Sequence, residues 1–268
     1  MKKGNIPEEV PFPVTEQNPT YRSFFRMAFY FSVLLKIKLW EDANFVLADI
    51  PVRPDAARKI LPWYLRPVEP CRATFFFAQY PRTAFTRSYN EAALLLHVRH
   101  LLYGKGVHCP WMIVDDDTAL IYGRELLGYP KKLADMPFAD DGKTISASLT
   151  RRDTTVVNIE AERLEKESCP GPVMGVKTFN FSGPGQYGIV NPVWMFRPRE
   201  VIHDSYKARV NLDIQQSHYD PIARLIGDYQ TPLEGRIARI NIMGARMLWF
   251  AGITGLRIYK NTFNLRFR

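Results

Sequence analysis

The chain has 268 residues, of which 46% are hydrophobic and 24% are charged. This composition is typical of a globular protein with a sizeable core, and it excludes a chain that is disordered throughout. Lys and Arg outnumber Asp and Glu by 36 to 27, which gives a formal net charge of +9. Because the basic residues are scattered, the pattern favours a solvated basic surface, or attraction of a small carboxylate, over binding of nucleic acid.

The cysteines and the N-terminus indicate the cellular compartment. Cys71, Cys109 and Cys169 are odd in number and far apart in sequence, which favours reduced thiols over a disulfide framework or a zinc site. The first residues, up to Pro19, are polar and lack the apolar stretch of a secretory signal. We therefore expect a cytoplasmic protein.

The chain is predicted to consist of an extended N-terminal arm, residues 1–20, and one domain, residues 21–268. The domain opens with an aromatic segment, Phe24–Trp40. The uncharged part of this segment is too short to span a bilayer. We interpret it as a core or subunit-interface element, with an interfacial helix that touches a membrane as the alternative.

Three elements are predicted in the first part of the domain. Pro54–Leu61 reads as a short helix, because proline is tolerated at a helix start and Asp55 suits the dipole of the first turn. Ala73–Tyr80 is rich in aromatic residues and reads as a strand. The propensities of Glu91–Tyr103 favour helix, but its length also fits a strand followed by a turn, so both interpretations stay open.

The remainder of the chain is predicted to be mostly β-structure. Trp111–Val114 and Ala119–Tyr122 are expected to form a hairpin around an acidic turn at Asp115–Asp117. Pro221–Ile226 is expected to be a short helical turn. Further strands are expected at Thr144–Leu149, Thr154–Glu160, Val176–Phe181, Tyr187–Met195, Ala208–Ile214 and Arg236–Met243. Many short strands with turn signals indicate one all-β or β-dominated α+β domain of barrel or sandwich type.

The segment with the clearest chemical content is Gly123–Ala134, GRELLGYPKKLA. A Lys-Lys pair is usually a solvated turn, but here Lys131 and Lys132 are flanked by apolar residues, and Pro130 restricts the backbone before them. A free lysine, with a pKa of about 10.4, is almost fully protonated at neutral pH. Burial and a neighbouring positive charge both lower such a pKa, and the neutral amine that results can attack a ketone.

The sequence GRELLGYPKKL resembles the active-site segment of acetoacetate decarboxylases, the standard example of an activated lysine. The resemblance implies that Lys131 forms a Schiff base and that Lys132 is the neighbour that lowers its pKa. Tyr89-Asn-Glu91 resembles the place of a family glutamate, so Glu91 is a candidate proton donor or acceptor. With the looser matches at Asp55–Pro62 and Asp220–Leu225, the similarity spans roughly residues 45–260.

Two positions depart from the family pattern. Phe76 lies nearest the place of a second family glutamate, and Pro51 falls where the family has an arginine, with Arg53 only nearby. Both family groups belong to the part of the pocket that handles the substrate carboxylate and protons. These departures leave open a Schiff-base aldolase-dehydratase, which acts on pyruvate and an aldehyde, as an alternative to decarboxylation.

The resemblance implies a β-dominated α+β fold, a double-layered antiparallel β-cone or barrel around an apolar pocket, in a homo-oligomer. It implies a lyase acting on a β-keto or α-keto acid without metal or organic cofactor, because a lysine imine is itself an electron sink. Tyr259 is a candidate second acid–base group. A pyruvate-dependent aldolase-dehydratase and a non-catalytic, ligand-binding or membrane-touching protein are the alternatives. Expected partners are the keto acid and further copies of the chain, without nucleic acid; membrane contact is not favoured.

Overall fold

Long antiparallel strands dominate the computed structural model, which describes residues 38–183 and 190–268. The predicted arm, residues 1–20, and most of the segment Phe24–Trp40 lie outside the described residues. In chain order the strands are Trp40–Pro51 (β1), Leu65–Pro67 (β2), Arg72–Tyr80 (β3), Arg82–Thr83 (β4), Tyr89–His100 (β5), Gly104–Val114 (β6), Lys131–Leu133 (β7), Phe138–Asp140 (β8), Thr144–Arg151 (β9), Thr154–Lys166 (β10), Thr178–Phe181 (β11), Val190–Ile214 (β12) and Leu233–Ile253 (β13). The helices are Pro54–Ile60 (α1), Asp117–Leu127 (α2) and Leu256–Arg266 (α3), with a 3₁₀ turn at Pro221–Arg224.

The sheet closes on itself. Its strand order is β11-β6-β5-β3-β1-β13-β12, and β11 also pairs with β12, which completes a ring. The C-terminal part of β12 pairs with β10, and the sheet continues from β10 through β9 and β8 into a second layer. Among the strands that the structure describes, only the pairings of β6 with β7 and with β11 are parallel. The predicted fold class, a β-dominated, double-layered antiparallel cone or barrel, is confirmed.

The two faces of the sheet bury two different apolar clusters. Along β1, Phe45 and Leu47 belong to one cluster, whereas Val46 and Ala48 belong to the other. This alternation follows from the two-residue period of a strand. We call the cluster that contains Phe45 the ring cluster and the cluster that contains Val46 the layer cluster.

Several predicted elements are confirmed at nearly the predicted bounds. They include the helix at Pro54–Ile60, the strand at Arg72–Tyr80, and the strand pair formed by β9 and β10. The ambiguous segment Glu91–Tyr103 is a strand up to His100. Its residues are buried on both faces, so its sequence lacks the alternation that would have identified it as a strand.

The predicted hairpin around Asp115–Asp117 is wrong, because Ala119–Tyr122 lies within helix α2. The Asp116 side chain accepts a hydrogen bond from the backbone N–H of Ala119 at 2.7 Å, and Asp117 occupies the first turn. Asp is among the strongest N-terminal capping residues, and acidic residues favour the first helical turn. The acidic cluster is therefore a helix start and not a hairpin turn.

Helix α3, which the sequence analysis did not predict, is attached to the sheet by a buried ionic cluster. Asp220, fully buried, contacts the Lys132 ammonium, and its Oδ2 lies 2.9 Å from Nη1 of Arg151. The indole N–H of Trp111 also donates to Asp220, at 2.9 Å. Lys132 donates in addition to the carbonyl of Asn264 in α3, at 3.1 Å. Within the described residues, no helix is long and apolar enough to cross a bilayer.

This cluster predicts a pH dependence of stability. Burial lowers the pKa of Lys132 to about 8, with Arg151 acting in the same direction and Asp220 in the opposite one. Between about pH 8 and the ordinary lysine pKa of about 10.5, the unfolded chain therefore binds more protons than the folded one. The free energy of unfolding should rise with pH across this window, by at most about 1.4 kcal/mol per pH unit, the slope for one proton.

The Lys132→Met variant lacks this titration. In urea unfolding between pH 7 and pH 10, we expect the wild type to gain stability relative to Lys132→Met as the pH passes 8. Lys143→Met is the control, because the Lys143 side chain is 77% exposed; its curve should run parallel to that of the wild type. Parallel curves for Lys132→Met as well would contradict the burial of an easily deprotonated ammonium.

Candidate active site

Lys131 lies in β7, paired with Met112 of β6, and its side chain enters the ring cluster. The residue is only 6% exposed. Its ammonium donates to Oε2 of Glu91, in β5, at 2.6 Å. The two residues that the sequence analysis placed in one active site therefore form a buried ion pair, which we call the Lys131–Glu91 pair.

Aromatic side chains surround the Lys131–Glu91 pair. The Tyr80 hydroxyl donates to Oε1 of Glu91 at 3.3 Å, and the Lys131 ammonium lies 5.6 Å from the centre of the Tyr89 ring. The rings of Tyr80 and Tyr89 stack at 4.7 Å, and the Trp40 indole donates to the Tyr89 hydroxyl at 2.8 Å. Burial raises the pKa of Tyr80 and of Tyr89 well above the usual value, so both hydroxyls stay protonated and able to donate.

The turn after helix α2 places Lys131 against that helix. Gly128 ends the helix with a positive φ of 66°, a conformation that glycine adopts without strain. Its N–H donates to the carbonyl of Arg124 at 3.2 Å, and the N–H of Tyr129 donates to the carbonyl of Gly123 at 3.0 Å. The chain therefore reverses, and Nη1 of Arg124 donates to the backbone carbonyl of Lys131 at 2.9 Å.

Gly123 leaves the space that the Lys131 side chain occupies. A Cβ atom at position 123 would lie 2.5 Å from both Cδ and Cε of Lys131, and 3.1 Å from its Nζ. These separations are shorter than carbon–carbon van der Waals contact. The glycine is therefore a geometric requirement for the position of the lysine, which explains why the helix before Lys131 contains a residue of low helix propensity.

Lys132 lies on the other face of β7 from Lys131. As the next residue of β7 it points to the opposite face, where it pairs with Ile113 of the layer cluster and contacts Asp220. Its charge is thus directed toward Asp220 and the carbonyl of Asn264, not toward the Lys131 ammonium. Adjacent residues of a strand face opposite ways, so the structure does not bring the Lys132 ammonium beside Lys131, and the catalytic role of Lys132 stays a prediction.

Tyr259 also lies apart from the Lys131–Glu91 pair. It belongs to the layer cluster, and its hydroxyl donates to the backbone carbonyl of Ser182 at 2.9 Å. Its ring packs edge-on against Phe181, with the ring centres 6.0 Å apart. The structure thus does not bring the predicted second acid–base group to the face of the sheet that Lys131 occupies.

The structure shows where Phe76, Pro51 and Arg53 lie, the residues at which this sequence departs from the family pattern. Phe76 is fully buried in the ring cluster, with its ring centre 5.7 Å from that of Phe45. Pro51 is the last residue of β1. Nε of Arg53 donates to the carbonyl of Ile226 at 2.8 Å, so this arginine fixes the backbone. The structure therefore has a buried aromatic residue of the ring cluster where the family pattern has a second glutamate.

Cys109 also belongs to the ring cluster, and burial raises the pKa of its thiol, which therefore stays protonated. Among the residues that the structure describes, no group of three or more His, Cys, Asp or Glu side chains could hold a metal ion.

The sequence analysis missed three residues that shape this region: Tyr80, Gly123 and Asp220. Tyr80 was assigned only to a strand, and Asp220 only to a loosely matching segment. Gly123 opens the motif GRELLGYPKKLA, eight residues before the lysine, but the sequence analysis gave it no role. Contacts of this kind depend on which elements meet in three dimensions, and a single sequence does not give that information.

Comparison with known proteins identifies the family of this chain. The family described as acetoacetate decarboxylase (ADC) matches residues 19–233. Acetoacetate decarboxylase 3 of Mesorhizobium japonicum is 28% identical over 109 residues, which are 40% of this chain and 41% of that protein. The matched segment thus spans less than half the length of that relative.

Two solved structures share the fold. The acetoacetate decarboxylase of Legionella pneumophila superposes with a TM-score of 0.65 at 18% identity, covering 81% of this chain and 86% of that one. The enduracididine biosynthesis enzyme MppR, complexed with pyruvate, superposes with a TM-score of 0.62 at 17% identity, covering 77% and 88%. Because the family match extends over most of the sequence, the chain belongs to the acetoacetate decarboxylase family.

Proposed function

We propose that the protein is a lyase that processes a small keto acid through an imine on Lys131. The observation that carries the proposal is the buried Lys131–Glu91 pair, with its 2.6 Å contact inside an aromatic wall. A lysine this close to a buried carboxylate can pass its proton to that carboxylate and become nucleophilic without contact with bulk water. Membership of the acetoacetate decarboxylase family supports the same chemistry.

The proposed reaction begins when Glu91 accepts a proton from Lys131. The neutral amine attacks the carbonyl carbon, and the carbonyl oxygen takes up one proton from the attacking nitrogen and one from the protonated Glu91. It leaves as water, which gives a protonated imine. In decarboxylation, the bond to the carboxylate carbon breaks, CO₂ departs, and the electron pair moves into the imine to form an enamine. Protonation at carbon and hydrolysis of the imine by water then release the ketone and restore the amine.

Glu91 is the group placed to carry protons through these steps. Its Oε2 faces the Lys131 nitrogen, and its Oε1 accepts a hydrogen bond from Tyr80. Once protonated, Glu91 can return the proton to the departing oxygen or to the enamine carbon. The Tyr80 hydroxyl, which stays protonated, stabilises the carboxylate when that proton has left.

We assign decarboxylation of a β-keto acid as the first candidate outcome and aldol condensation with dehydration as the second. Two observations support the aldol condensation as an alternative. Phe76 and Pro51 replace polar family groups, and the fold is shared with MppR, which has been solved with pyruvate. After imine formation on pyruvate, loss of a methyl proton gives the enamine. Its attack on an aldehyde, followed by loss of water, gives the imine of an unsaturated keto acid. Hydrolysis of that imine by water releases the acid and restores the Lys131 amine.

Borohydride reduction tests the proposed imine. Protein mixed with acetoacetate or with pyruvate and then reduced should carry a stable adduct on the peptide that contains Lys131, detected by mass spectrometry. Lys131→Arg should carry none, because a guanidinium does not form this imine while its charge still pairs with Glu91. Lys143→Met, which removes an exposed lysine, should be labelled like the wild type.

The outcome also separates the candidate functions. Release of CO₂ from acetoacetate supports the decarboxylase, whereas an enone formed from pyruvate and an aromatic aldehyde supports the aldolase-dehydratase. If the folded wild type gave no adduct with either acid, or if Lys131→Arg were labelled equally, the lysine mechanism would be wrong. A non-catalytic, ligand-binding role would then be the better account.

Substitution of Gly123 tests whether the exact position of the lysine matters. The new Cβ of Gly123→Ala would displace the Lys131 methylenes. We therefore expect kcat/KM to fall by about 10²-fold for the keto acid that forms the borohydride-reduced adduct. The melting temperature should change little, because the atoms that must move belong to a flexible side chain. Gly171→Ala is the matched control, since its Cβ would meet only Nη2 of Arg236 at 3.6 Å. Equal activity of Gly123→Ala and wild type would show that the space left by Gly123 is dispensable.

A further inference from the structure

One surface of the molecule combines exposed apolar side chains with a single sign of charge. Trp63, Leu102 and Leu256 are 70%, 84% and 68% exposed, and Leu101 is exposed beside them. They belong to three segments, residues 56–66, 99–106 and 254–263. We call the surface formed by these three segments the Trp63 face.

Direct contacts join the three segments. The backbone N–H of Leu101 donates to the carbonyl of Tyr64 at 3.1 Å, and Arg66 pairs with Arg99 across β2 and β5. The Tyr64 hydroxyl lies 3.2 Å from Oγ1 of Thr254, which connects the third segment. The Asn261 side chain of α3 donates to the carbonyl of Lys59, at the end of α1, at 2.7 Å. These contacts hold the three segments beside one another in the fold.

The apolar tips are held in place from below. Nδ1 of His100 accepts from the backbone N–H groups of Leu102 and Tyr103 at 3.1 and 3.2 Å, and the His100 ring stacks on Phe179 at 5.0 Å. The Trp63 ring packs against the Tyr64 ring at 5.7 Å. The backbone that presents these side chains is thus fixed by buried groups, while the side chains themselves project into solvent.

All charged residues of the three segments are basic. Exposed Lys and Arg side chains surround the apolar tips, and the segments contain no Asp or Glu. The nearest acidic residues along the chain, Asp55 and Glu69, both contact Arg58. The other basic residues are Lys59, Arg66, Arg99, Lys105, Arg257 and Lys260.

We propose that the Trp63 face docks on a membrane surface rich in anionic lipid. Basic side chains are attracted to acidic headgroups, while exposed Trp and Leu side chains enter the boundary between headgroups and acyl chains. Tryptophan is enriched at this boundary because its ring is amphipathic. Nucleic acid would match the charge but would not require three large apolar tips. This surface is separate from the Lys131–Glu91 pair, so the proposal does not depend on the proposed function.

Sedimentation with vesicles tests the proposal. The full chain should bind vesicles of phosphatidylcholine with about 30% phosphatidylserine at about 0.1 M salt, and should bind pure phosphatidylcholine weakly. Leu102→Asp and the double variant Lys105→Glu/Arg257→Glu should each lower the partition coefficient by about tenfold or more. Brominated lipid should quench the tryptophan fluorescence of the wild type more than that of Trp63→Phe.

Matched controls separate this face from the rest of the molecule. Val201→Asp changes an exposed apolar residue on β12, and Lys143→Glu alters the net charge elsewhere; both variants should bind like the wild type. All substituted positions are exposed, so circular dichroism and the melting temperature should be unchanged.

Three results would overturn the proposal. The first is no binding of the wild type to the anionic vesicles. The second is that wild type and Leu102→Asp bind the anionic vesicles equally, while a labelled oligonucleotide binds to the wild type as tightly as the lipid does. The third is a smaller assembly of Leu102→Asp in light scattering, which would show that the face binds a second copy of the chain.

Discussion

The buried contact between Lys131 and Glu91 is the interaction on which the account of this molecule depends. Removing two opposite charges from water costs several kcal/mol per ion, and only close geometry with further hydrogen bonds offsets that cost. Here the contact is 2.6 Å, and Tyr80 supports the carboxylate. The pairing of β3, β5 and β6 and the closure of the ring bring these groups together from distant parts of the sequence.

Strand β7 separates two electrostatic environments by one residue. Lys131 faces the aromatic ring cluster and Glu91, whereas Lys132 faces Asp220, Arg151 and helix α3. The first environment leaves the carboxylate open to exchange a proton with a reacting group, and the second uses its carboxylate to join chain segments. The adjacent lysines of the motif therefore have different roles. Lys131 is proposed to act in the chemistry, and Lys132 to hold helix α3 against the sheet.

The strands with clear alternation could be predicted from the sequence. The family resemblance, carried by the motif GRELLGYPKK, also singled out Lys131 and Glu91 as candidate site residues. Other features could not. Strand β5 is buried on both faces, so its pattern resembles a helix. Asp116 caps a helix, but an acidic cluster is equally typical of a turn. The opposite directions of Lys131 and Lys132 became apparent only once β7 was known to be a strand, because a helix or a turn would have placed them differently.

The most direct test of the central claim is exchange of the carbonyl oxygen of a ketone with solvent. Each reversible formation of an imine on Lys131 removes that oxygen, so the protein should accelerate the loss of ¹⁸O from labelled acetone or pyruvate, measured by mass spectrometry. Glu91→Gln, which keeps the shape but accepts no proton, should slow this exchange by about 10²-fold or more, and Lys131→Arg should reduce it to the spontaneous rate. Exchange at the wild-type rate in either folded variant would contradict the claim that the Lys131–Glu91 pair creates the nucleophile.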